Sequence, residues 1–225
     1  MTQQHPDASG GSGNRVPPRR RSDEVYWTLR QEIVDGVLRP NAPLVEDEIA
    51  ARLGVSRTPV RESMQRLMAD GLIRSQRRRW VVHEYSRQEV AHLYEVRAGL
   101  EAQAARLAAL RAGPEERESI ARWRDRMTSP TVDSLCDRAS SNDAFHDAIT
   151  AASGNPLLLE MIHANRLFHF NRRIAALYSA EEIAVSSRQH GDLITAVCEG
   201  DANRAGDTAR EHTEYSLGII LQKLF

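Results

Sequence analysis

The sequence predicts a mainly α protein in which an N-terminal winged helix-turn-helix precedes a C-terminal all-α helical bundle. Two patterns predict this fold class. Residues 22–85 read as three helices, the last two joined by a glycine turn, followed by a β-hairpin, which is the element order of a winged helix-turn-helix. After Ser86, nearly every segment has helical periodicity, interrupted by Gly, Pro and Asn.

The charge distribution divides the chain in the same place. Residues 1–83 contain 14 Arg, no Lys and 10 acidic side chains, a net charge of +4. Residues 84–225 carry 16 basic and 21 acidic side chains, a net charge of −5. Only the first part would therefore attract a polyanion. Arginine richness alone is weak support for nucleic-acid binding, because base-composition bias in a genome also produces it.

Length and composition exclude several classes of protein. The chain has 225 residues, of which 41% are hydrophobic and 27% charged, which is typical of a globular protein with a sizeable core. No apolar run approaches the roughly 20 residues of a membrane span, and no signal-peptide pattern opens the chain. Cys136 and Cys198 form no CxxC pattern, which argues against a disulfide scaffold. We expect a cytoplasmic protein without a membrane partner.

The first 21 residues are predicted to form a disordered tail. They consist largely of Gly, Ser, Pro, Gln and Arg and have too few apolar side chains to offset the entropy of ordering. The triplet Arg19–Arg21 would suit a basic arm on DNA phosphates, but a solvated tail is the favoured interpretation.

Residues 22–85 are predicted to form the first domain. Ser22 is a suitable N-cap for a helix that Gly36 ends, and Pro40–Pro43 is a connector. A short helix, Glu46–Leu53, closes at Gly54, and Ser56 precedes a helix over Arg57–Asp70. The buried stripe of that last helix is predicted from four apolar positions: Val60, Met64, Leu67 and Met68. Two short strands, Leu72-Ile73 and Trp80–Val82, flank a polar turn over Ser75–Arg79.

The helix that begins at Arg57 has the chemistry of a helix that reads the DNA major groove. Ser56, Arg57, Thr58 and Arg61 share the face opposite the apolar stripe. A helix N-terminus offers N–H groups and a positive dipole end to phosphate, and arginine can bind guanine edges with two donors. An amphipathic helix with a solvated basic face would show the same residues. The preceding helix and glycine turn favour DNA reading.

This segment resembles the DNA-binding domain of the GntR family. The resemblance covers about 60 residues and rests on these positions: Tyr26, Leu29-Arg30, Ile33, Gly36, Leu38, Pro40, Glu46, Ile49-Ala50, Leu53–Glu62, Leu67 and Gly71–Ile73. It implies a bacterial transcription regulator that binds a palindromic operator in double-stranded DNA as a homodimer. It also implies DNA contacts from the start of the recognition helix and from the wing tip, here Arg77, Arg78 and Arg79.

Two positions depart from the family pattern. The wing turn usually contains a glycine, where this chain has Arg79-Trp80. The charge of Arg77–Arg79 could compensate through phosphate contacts. Asp47 stands where relatives often have a basic residue, and an acid would not help a phosphate contact.

Residues 86–225 are predicted to form a second, all-α domain. Helices are expected at about 87–112, 115–128, 132–153, 156–178, 180–199 and 201–224. His146 follows Asn142 by four residues, so that both project from one helix face. His190 and His212 lie 22 residues apart across the Gly200-Asp201 turn, which brings them to one level of an antiparallel helix pair. Imidazoles from facing helices can share one metal ion.

The second domain resembles the FCD effector domain of the FadR subfamily. The resemblance covers roughly residues 87–222 and rests on these positions: Tyr94–Glu101, Asn142, Phe145–Ile149, Ala152–Pro156, His190, Ile194, Gly200-Asp201, Ala205 and His212. It implies a divalent metal, namely zinc, nickel, manganese or iron, on Asn142, His146, His190 and His212. Relatives more often have Asp at the first of these positions, and Asp143 is the alternative oxygen ligand.

The same resemblance implies that the metal binds the carboxylate of a small organic acid. Arg97 matches an arginine of the family and would anchor that carboxylate. A buried ion pair between Arg97 and Glu101 or another helix is an equally weighted alternative. His163, His169, Arg166, Arg172 and Arg173 lie on the helix predicted over 156–178, and periodicity does not say which of them face inward.

The predicted function is therefore a DNA-binding transcriptional regulator, of which repression relieved by a metabolite is the usual mode in the family. One alternative makes the metal itself the signal. Another is a metal-dependent hydrolase with a three-histidine site. The hydrolase is disfavoured because no general base stands beside the histidines and the basic first domain would have no purpose. We expect the chain not to be an enzyme.

Overall fold

The computed structural model describes residues 20–77, 79–128, 135–165 and 175–225. The elements of the first domain are α1 (Arg21–Val34), β1 (Pro43–Leu44), α2 (Glu46–Leu53), α3 (Arg57–Ala69), β2 (Ile73–Gln76) and β3 (Arg79–Val82). Those of the second are α4 (Arg87–Arg111), α5 (Pro114–Ala121), α6 (Arg124–Thr128), α7 (Leu135–Ala152), α8 (Pro156–Ala164), α9 (Ala180–Glu199) and α10 (Ala202–Lys223). The predicted tail lies outside the described residues up to position 19.

The three helices of the first domain enclose one apolar core, as the sequence predicts. Leu29 from α1 and Val60, Met64 and Leu67 from α3 are fully buried in it. Gly54 ends α2 with a φ of 65°, a left-handed conformation that glycine adopts without a steric penalty and that turns the chain into α3. The turn sets α3 across α2 and leaves the N-terminus of α3 at the surface.

The wing is a three-stranded antiparallel sheet in the order β1-β3-β2. The predicted hairpin is present, but its strands extend to the pair Gln76–Arg79, so that the turn is shorter than the predicted Ser75–Arg79. Arg77 takes a φ of 49° in this turn, which places a non-glycine residue in the left-handed region. Strand β1 was not predicted, because its two residues are too few to show alternation.

Two further predictions for this domain are wrong. Ser22 is not the N-cap of α1, since the helix begins at Arg21 and Ser22 is buried. Its carbonyl oxygen accepts a hydrogen bond of 2.7 Å from Ser63 Oγ, which ties the start of α1 to α3. Met68 does not join the buried stripe of α3 and is 44% exposed, because it lies at the edge of the stripe, one position beyond Leu67.

The second domain is built on the close packing of α4 against α10. Small side chains line the contact, among them Ala102 and Ala105 on α4 and Ala205 on α10. A Cβ atom on Gly206 would lie 2.5 Å from Cγ of Arg106 and 3.3 Å from the carbonyl oxygen of Ala102. Because Gly206 has no side chain, the backbones of α4 and α10 can approach each other closely. Helices α9 and α7 pack around this pair and bury Phe145 and Ile194.

The helix boundaries follow local signals closely in most of this domain. Helix α9 spans the predicted 180–199, with a capping box between Ser179 and Glu182 at its start and Gly200 at its end. The helix predicted over 115–128 is broken into α5 and α6 at Arg122-Trp123. Helix α8 ends at Ala164, well before the predicted residue 178. Within the described ranges, no helix combines the length and apolar character needed to cross a bilayer.

A connector of four residues, His83–Ser86, joins the two domains. The hydroxyl of Tyr85 donates a hydrogen bond of 2.9 Å to the carbonyl oxygen of Gly71, just beyond the end of α3. The ring of Tyr85 packs against a cluster formed by Val90, Tyr94 and Ile220 of the second domain. Tyr85 therefore contacts both domains.

Candidate functional site

The predicted DNA-contacting residues of α3 lie together on an exposed surface. Ser56, Arg57, Thr58 and Arg61 are all exposed, opposite the buried stripe of the helix. Ser56 occupies the N-cap with an extended backbone, and its hydroxyl makes no capping hydrogen bond. This end of the helix thus presents two guanidinium groups and two hydroxyl groups to solvent, a donor set suited to phosphate oxygens and base edges.

The two arginines share a carboxylate from α2. Nη2 of Arg61 lies 3.0 Å from Oε2 of Glu46, and its Nε lies 3.4 Å from Oε1. Arg57 approaches the same carboxylate at 3.6 Å and places its Nε 3.1 Å from Asp47. The hydrogen bond from Arg61 holds the pKa of Glu46 below its usual value. Asp47, which departs from the family pattern, thus serves as a partner of Arg57.

The wing contributes further positive charge beside α3. Arg77 and Arg79 are exposed at the tip of the β2–β3 hairpin, whereas Arg78 lies outside the described residues. Arg77 takes the left-handed conformation at this tip, a backbone region that favours glycine. The indole Nε1 of Trp80 on β3 points back to α2 and donates a hydrogen bond of 3.4 Å to Oε1 of Glu46.

Three predicted metal ligands come together inside the second domain. His146 on α7, His190 on α9 and His212 on α10 are each only 4–5% exposed. One ring nitrogen from each lies within 4.8 Å of the others. Nε2 of His190 and Nε2 of His212 are 3.2 Å apart. Counting residues across the Gly200 turn therefore correctly placed the last two at one level of the bundle.

The protonation of these imidazoles favours metal binding. Burial, together with the neighbouring imidazoles, lowers the pKa of His212 to about 3 and that of His190 well below its usual value. Both side chains are therefore neutral near pH 7, the form that coordinates a metal. Nδ1 of His212 lies 3.1 Å from Oε1 of Gln189 and, as a donor to it, leaves Nε2 with a free lone pair.

A buried carboxylate that the sequence analysis did not include in the site contacts this cluster. Oε2 of Glu101 lies 3.0 Å from Nδ1 of His146, and Oε1 accepts a hydrogen bond of 2.5 Å from Nε of Arg97. Burial tends to raise the pKa of Glu101, but the charge of Arg97 and the contact with His146 outweigh it, and the pKa lies well below its usual value. Glu101 is therefore ionised between two basic partners.

The residues present fit a metal ion. Nε2 of His146 is buried and has no hydrogen-bond partner among the described residues. A buried nitrogen without a partner is costly unless another group satisfies it. Nδ1 of His146 faces Glu101, and Nε2 lies on the opposite side of the ring. A cation shared with His190 and His212 would therefore supply the partner that Nε2 lacks. Oε2 of Glu101 lies 3.0 Å from Nδ1 of His146 without a hydrogen bond to it among the described residues, and is close enough to support the imidazole once a metal is bound.

The two candidate oxygen ligands differ in position. Asn142 precedes His146 by one helical turn and lines the cavity next to His190 and His212. Asp143 is half-buried and does not belong to the group of side chains close enough to share an ion with the three histidines, within the part of the chain that the structure describes. The placement therefore favours Asn142 as the oxygen ligand.

A cavity of about 90 Å³ opens beside the histidines. This is several times the roughly 15 Å³ that one water molecule requires. Its lining includes His190 and His212, three arginines, two tyrosines and five hydroxyl-bearing Ser and Thr side chains. No Asp or Glu is among the described residues that line it. Since Arg97 is paired with Glu101, the excess positive charge comes from Arg126 and Arg138, and together with the many hydrogen-bond donors it suits a small anion.

Arg97 forms the buried ion pair with Glu101 that one of the two sequence interpretations expects, and it also lines the cavity. Its role as a carboxylate anchor stays a prediction. The other two arginines, Arg126 and Arg138, were not predicted. They lie on α6 and α7, and no local pattern distinguishes them from solvated arginines. His163 does not line the cavity and instead pairs with Asp147 at 2.9 Å on the surface. The remaining residues of the segment after α8 that the sequence singled out, namely Arg166, His169, Arg172 and Arg173, lie outside the described residues.

A winged helix-turn-helix with an exposed basic helix, joined to a helical domain with a cavity, defines a DNA-binding regulator. Comparisons with known proteins place it in a family. A family model described as "Bacterial regulatory proteins, gntR family" matches residues 21–82, and the "FCD domain" model matches residues 92–215. The chain belongs to the GntR family of transcriptional regulators and carries an FCD domain. It is a regulator rather than an enzyme.

Known relatives agree with this assignment, and a solved structure has the same fold. The chain is 28% identical over 214 residues to the HTH-type transcriptional repressor GlaR of Escherichia coli, with 88% of this chain and 95% of the relative covered. It is 28% identical to the Glc operon transcriptional activator of the same species, with 84% of each chain covered. The structure titled "E. coli McbR/YncC" covers 92% of this chain and is itself fully covered, with a TM-score of 0.75 at 21% identity. That similarity supports the fold alone.

Proposed function

We propose that the chain is a homodimeric repressor that binds a palindromic operator and responds to a small carboxylate bound beside a divalent metal in the FCD domain. The observation that carries this proposal is the juxtaposition of three buried imidazoles with a cavity lined by arginines and hydroxyl groups. The sign of regulation follows the repressor among the relatives, although another relative is an activator.

The metal would be held by the three histidines and Asn142. Zinc, nickel, manganese and iron all accept imidazole together with an amide oxygen. The ion would supply a Lewis-acidic position that binds a carboxylate oxygen and fixes its orientation. Arg97 and Arg138 supply donors on the walls of the same cavity. A mono- or dicarboxylic acid of a few carbon atoms fits this charge and volume.

Metal analysis tests the site directly. The purified chain, loaded with each divalent metal in turn and desalted, is expected to retain about one equivalent, because the described residues contain one such cluster of buried donors. His146→Ala removes the ligand whose Nε2 has no other partner and should lower retention at least tenfold. His163→Ala removes a surface histidine that pairs with Asp147 and serves as the control.

The same preparations identify the effector class. Small carboxylic acids are screened for a rise in melting temperature of the metal-loaded chain, and those that raise it are tested for release of DNA. Failure of the wild type to retain any metal would remove the four-ligand site from the proposal. A metal that alone changes DNA affinity, with no acid adding to its effect, would instead identify the metal as the signal.

DNA contact is proposed for the exposed start of α3 and the wing tip. The residues are Ser56, Arg57, Thr58, Arg61, Arg77, Arg78 and Arg79. Arginine would bind guanine or phosphate, and the hydroxyl groups would bind phosphate. Two copies of the chain would place two such helices on successive major grooves, which matches the symmetry of a palindromic operator.

Arg61→Ala is expected to weaken operator binding by about 5- to 100-fold, the range for loss of a bidentate arginine contact. The operator is first selected from random double-stranded DNA with the wild-type chain, and affinities are measured at fixed salt. Arg122→Ala removes an exposed arginine directly after α5 that pairs only with Glu118 in the described residues and should change affinity less than twofold. Equal affinities for the wild type and Arg61→Ala would refute this contact.

A further inference from the structure

Three elements of the DNA-binding domain meet at one carboxylate. Glu46, the first residue of α2, contacts Arg57 and Arg61 of α3 and the indole of Trp80 on β3. Its side chain is only 16% exposed, whereas those of Arg57 and Arg61 are 59% and 58% exposed. The carboxylate is thus partly withdrawn from the surface, and the arginines extend beyond it.

The contact with Arg61 uses one edge of the guanidinium group. Nε and Nη2 face the two oxygens of Glu46. A guanidinium has five N–H donors, so this side-on pair leaves the donors of Nη1 and one of Nη2 for another acceptor. Among the described residues, Nη1 of Arg61 makes no hydrogen bond. The free end of the group is the fork that matches O6 and N7 of guanine.

Holding an arginine before it binds DNA has a thermodynamic consequence. Arginine has one of the largest side-chain entropies, and ordering it at the moment of binding costs affinity. A carboxylate that fixes the guanidinium beforehand reduces that cost for one base and one geometry. The same carboxylate repels phosphate, so it disfavours binding that depends on charge alone.

We propose that Glu46 is a positioning residue for sequence discrimination, which holds the guanidinium of Arg61 with its free edge towards a guanine, and that Trp80 holds Glu46 in place. Trp80 lies in the segment where relatives have the wing glycine, so the wing of this chain supports the recognition helix through its indole N–H. The inference rests on the proposed contact of Arg61 with DNA.

The hydrogen-bond network separates this role from that of a simple charge. Trp80 packs against the core of the domain and has its position fixed by the ladder between β1 and β3. Its donor therefore meets Oε1 of Glu46 from a rigid element. Asp47 and Glu48 follow Glu46 on the same helix and carry the same charge, but both are exposed and neither contacts Arg61 among the described residues.

The experiment measures discrimination, defined as the ratio of affinities for the selected operator and for a duplex of the same composition in scrambled order. Glu46→Gln removes the charge that holds Arg61 and keeps an oxygen that can accept from Trp80. We expect discrimination to fall about tenfold, with scrambled-duplex affinity unchanged or slightly raised. Glu48→Gln makes the same change of net charge two residues further along α2 and should leave discrimination within twofold.

Trp80→Phe provides a second, independent variant. It keeps an aromatic ring in the core and removes the N–H donor, so that Glu46 keeps its arginines but loses its support. We expect discrimination to fall about threefold in the same direction. Melting curves of each variant report whether the domain is folded, and Trp80→Phe decides the matter if Glu46→Gln proves unfolded.

The outcomes separate this inference from the proposed function on which it rests. If Arg61→Ala weakens operator binding while Glu46→Gln and Trp80→Phe both keep wild-type discrimination, the positioning role of Glu46 is overturned. The proposed contact of Arg61 with DNA would then stand. Arg61→Ala at wild-type affinity would remove the contact itself. Tighter operator binding by Glu46→Gln with discrimination retained would mean that the carboxylate restrains Arg61 rather than positions it, which also overturns the inference.

Discussion

Replacement of Glu101 by Gln is expected to lower the free energy of unfolding of the FCD domain by about 3 to 5 kcal/mol, the cost of removing one partner from a buried ion pair. Arg97 and Glu101 are both almost fully buried, and Nε of Arg97 lies 2.5 Å from Oε1 of Glu101. The arginine stays charged at any accessible pH, so the variant leaves a buried cation without its counter-ion. His146 loses the same carboxylate.

Thermal melting of the metal-free full-length chain measures this effect. A loss of this size corresponds to a fall in melting temperature of roughly 6 to 20 °C for a protein of this length. Protein concentration is held fixed, since the proposed dimer would have a concentration-dependent melting midpoint. Glu118→Gln removes a carboxylate from the exposed pair with Arg122 and should cost no more than about 1 kcal/mol. Similar shifts in both variants would contradict the assignment of Glu101 as a structural counter-ion.

Phe145→Ala is the second substitution with a large expected effect, about 3 to 5 kcal/mol of unfolding free energy. The ring is fully buried and meets three other aromatic rings edge-on: Trp123, His146 and His190, with centroids 6.3, 5.2 and 5.1 Å away. Truncation removes this contact area and leaves a cavity directly beside two proposed metal ligands.

Leu157→Ala is the matched control, because Leu157 is a large apolar residue that is mostly exposed at the start of α8. Its change should stay within about 0.5 kcal/mol. Trp123 is the only one of the three tryptophans in residues 86–225, so the tryptophan emission should change in Phe145→Ala, and not in Leu157→Ala, before the domain unfolds. If Phe145→Ala lowers the free energy of unfolding no more than Leu157→Ala does, the surrounding helices must close over the missing ring. That result would contradict the packing described.

Local signals predicted much of the fold. Helix α9 has the bounds that a capping serine and a terminal glycine indicate, and α2 ends where Gly54 turns the chain. Strand β1 was missed because a two-residue strand is recognisable only from its partner, β3. Met68 was misplaced because periodicity assigns the edge of an apolar stripe poorly, and the edge here faces solvent.

The sequence likewise predicted some contacts of the candidate sites and missed others. Spacing alone brought His190 and His212 to one level, because the turn between two helices fixes their relative height. The contact between Glu101 and His146 joins residues 45 positions apart on different helices, and no local sequence pattern predicts it. Glu46 and Trp80 are likewise 34 positions apart. Such contacts follow from the packing of elements rather than from the sequence within them.

The junction at Tyr85 bears on how such proteins diversify. The hydroxyl of Tyr85 donates its hydrogen bond to the main-chain carbonyl of Gly71. A Cβ atom on Gly71 would lie 3.0 Å from that hydroxyl, and the φ of +72° at Gly71 also disfavours a side chain. The joint therefore includes this tyrosine, this glycine, the apolar cluster of the second domain on which the tyrosine ring packs, and a contact between His83 and Glu89. A DNA-reading module and a sensing module that recombine across this joint would therefore have to keep the tyrosine, the glycine and the apolar cluster together.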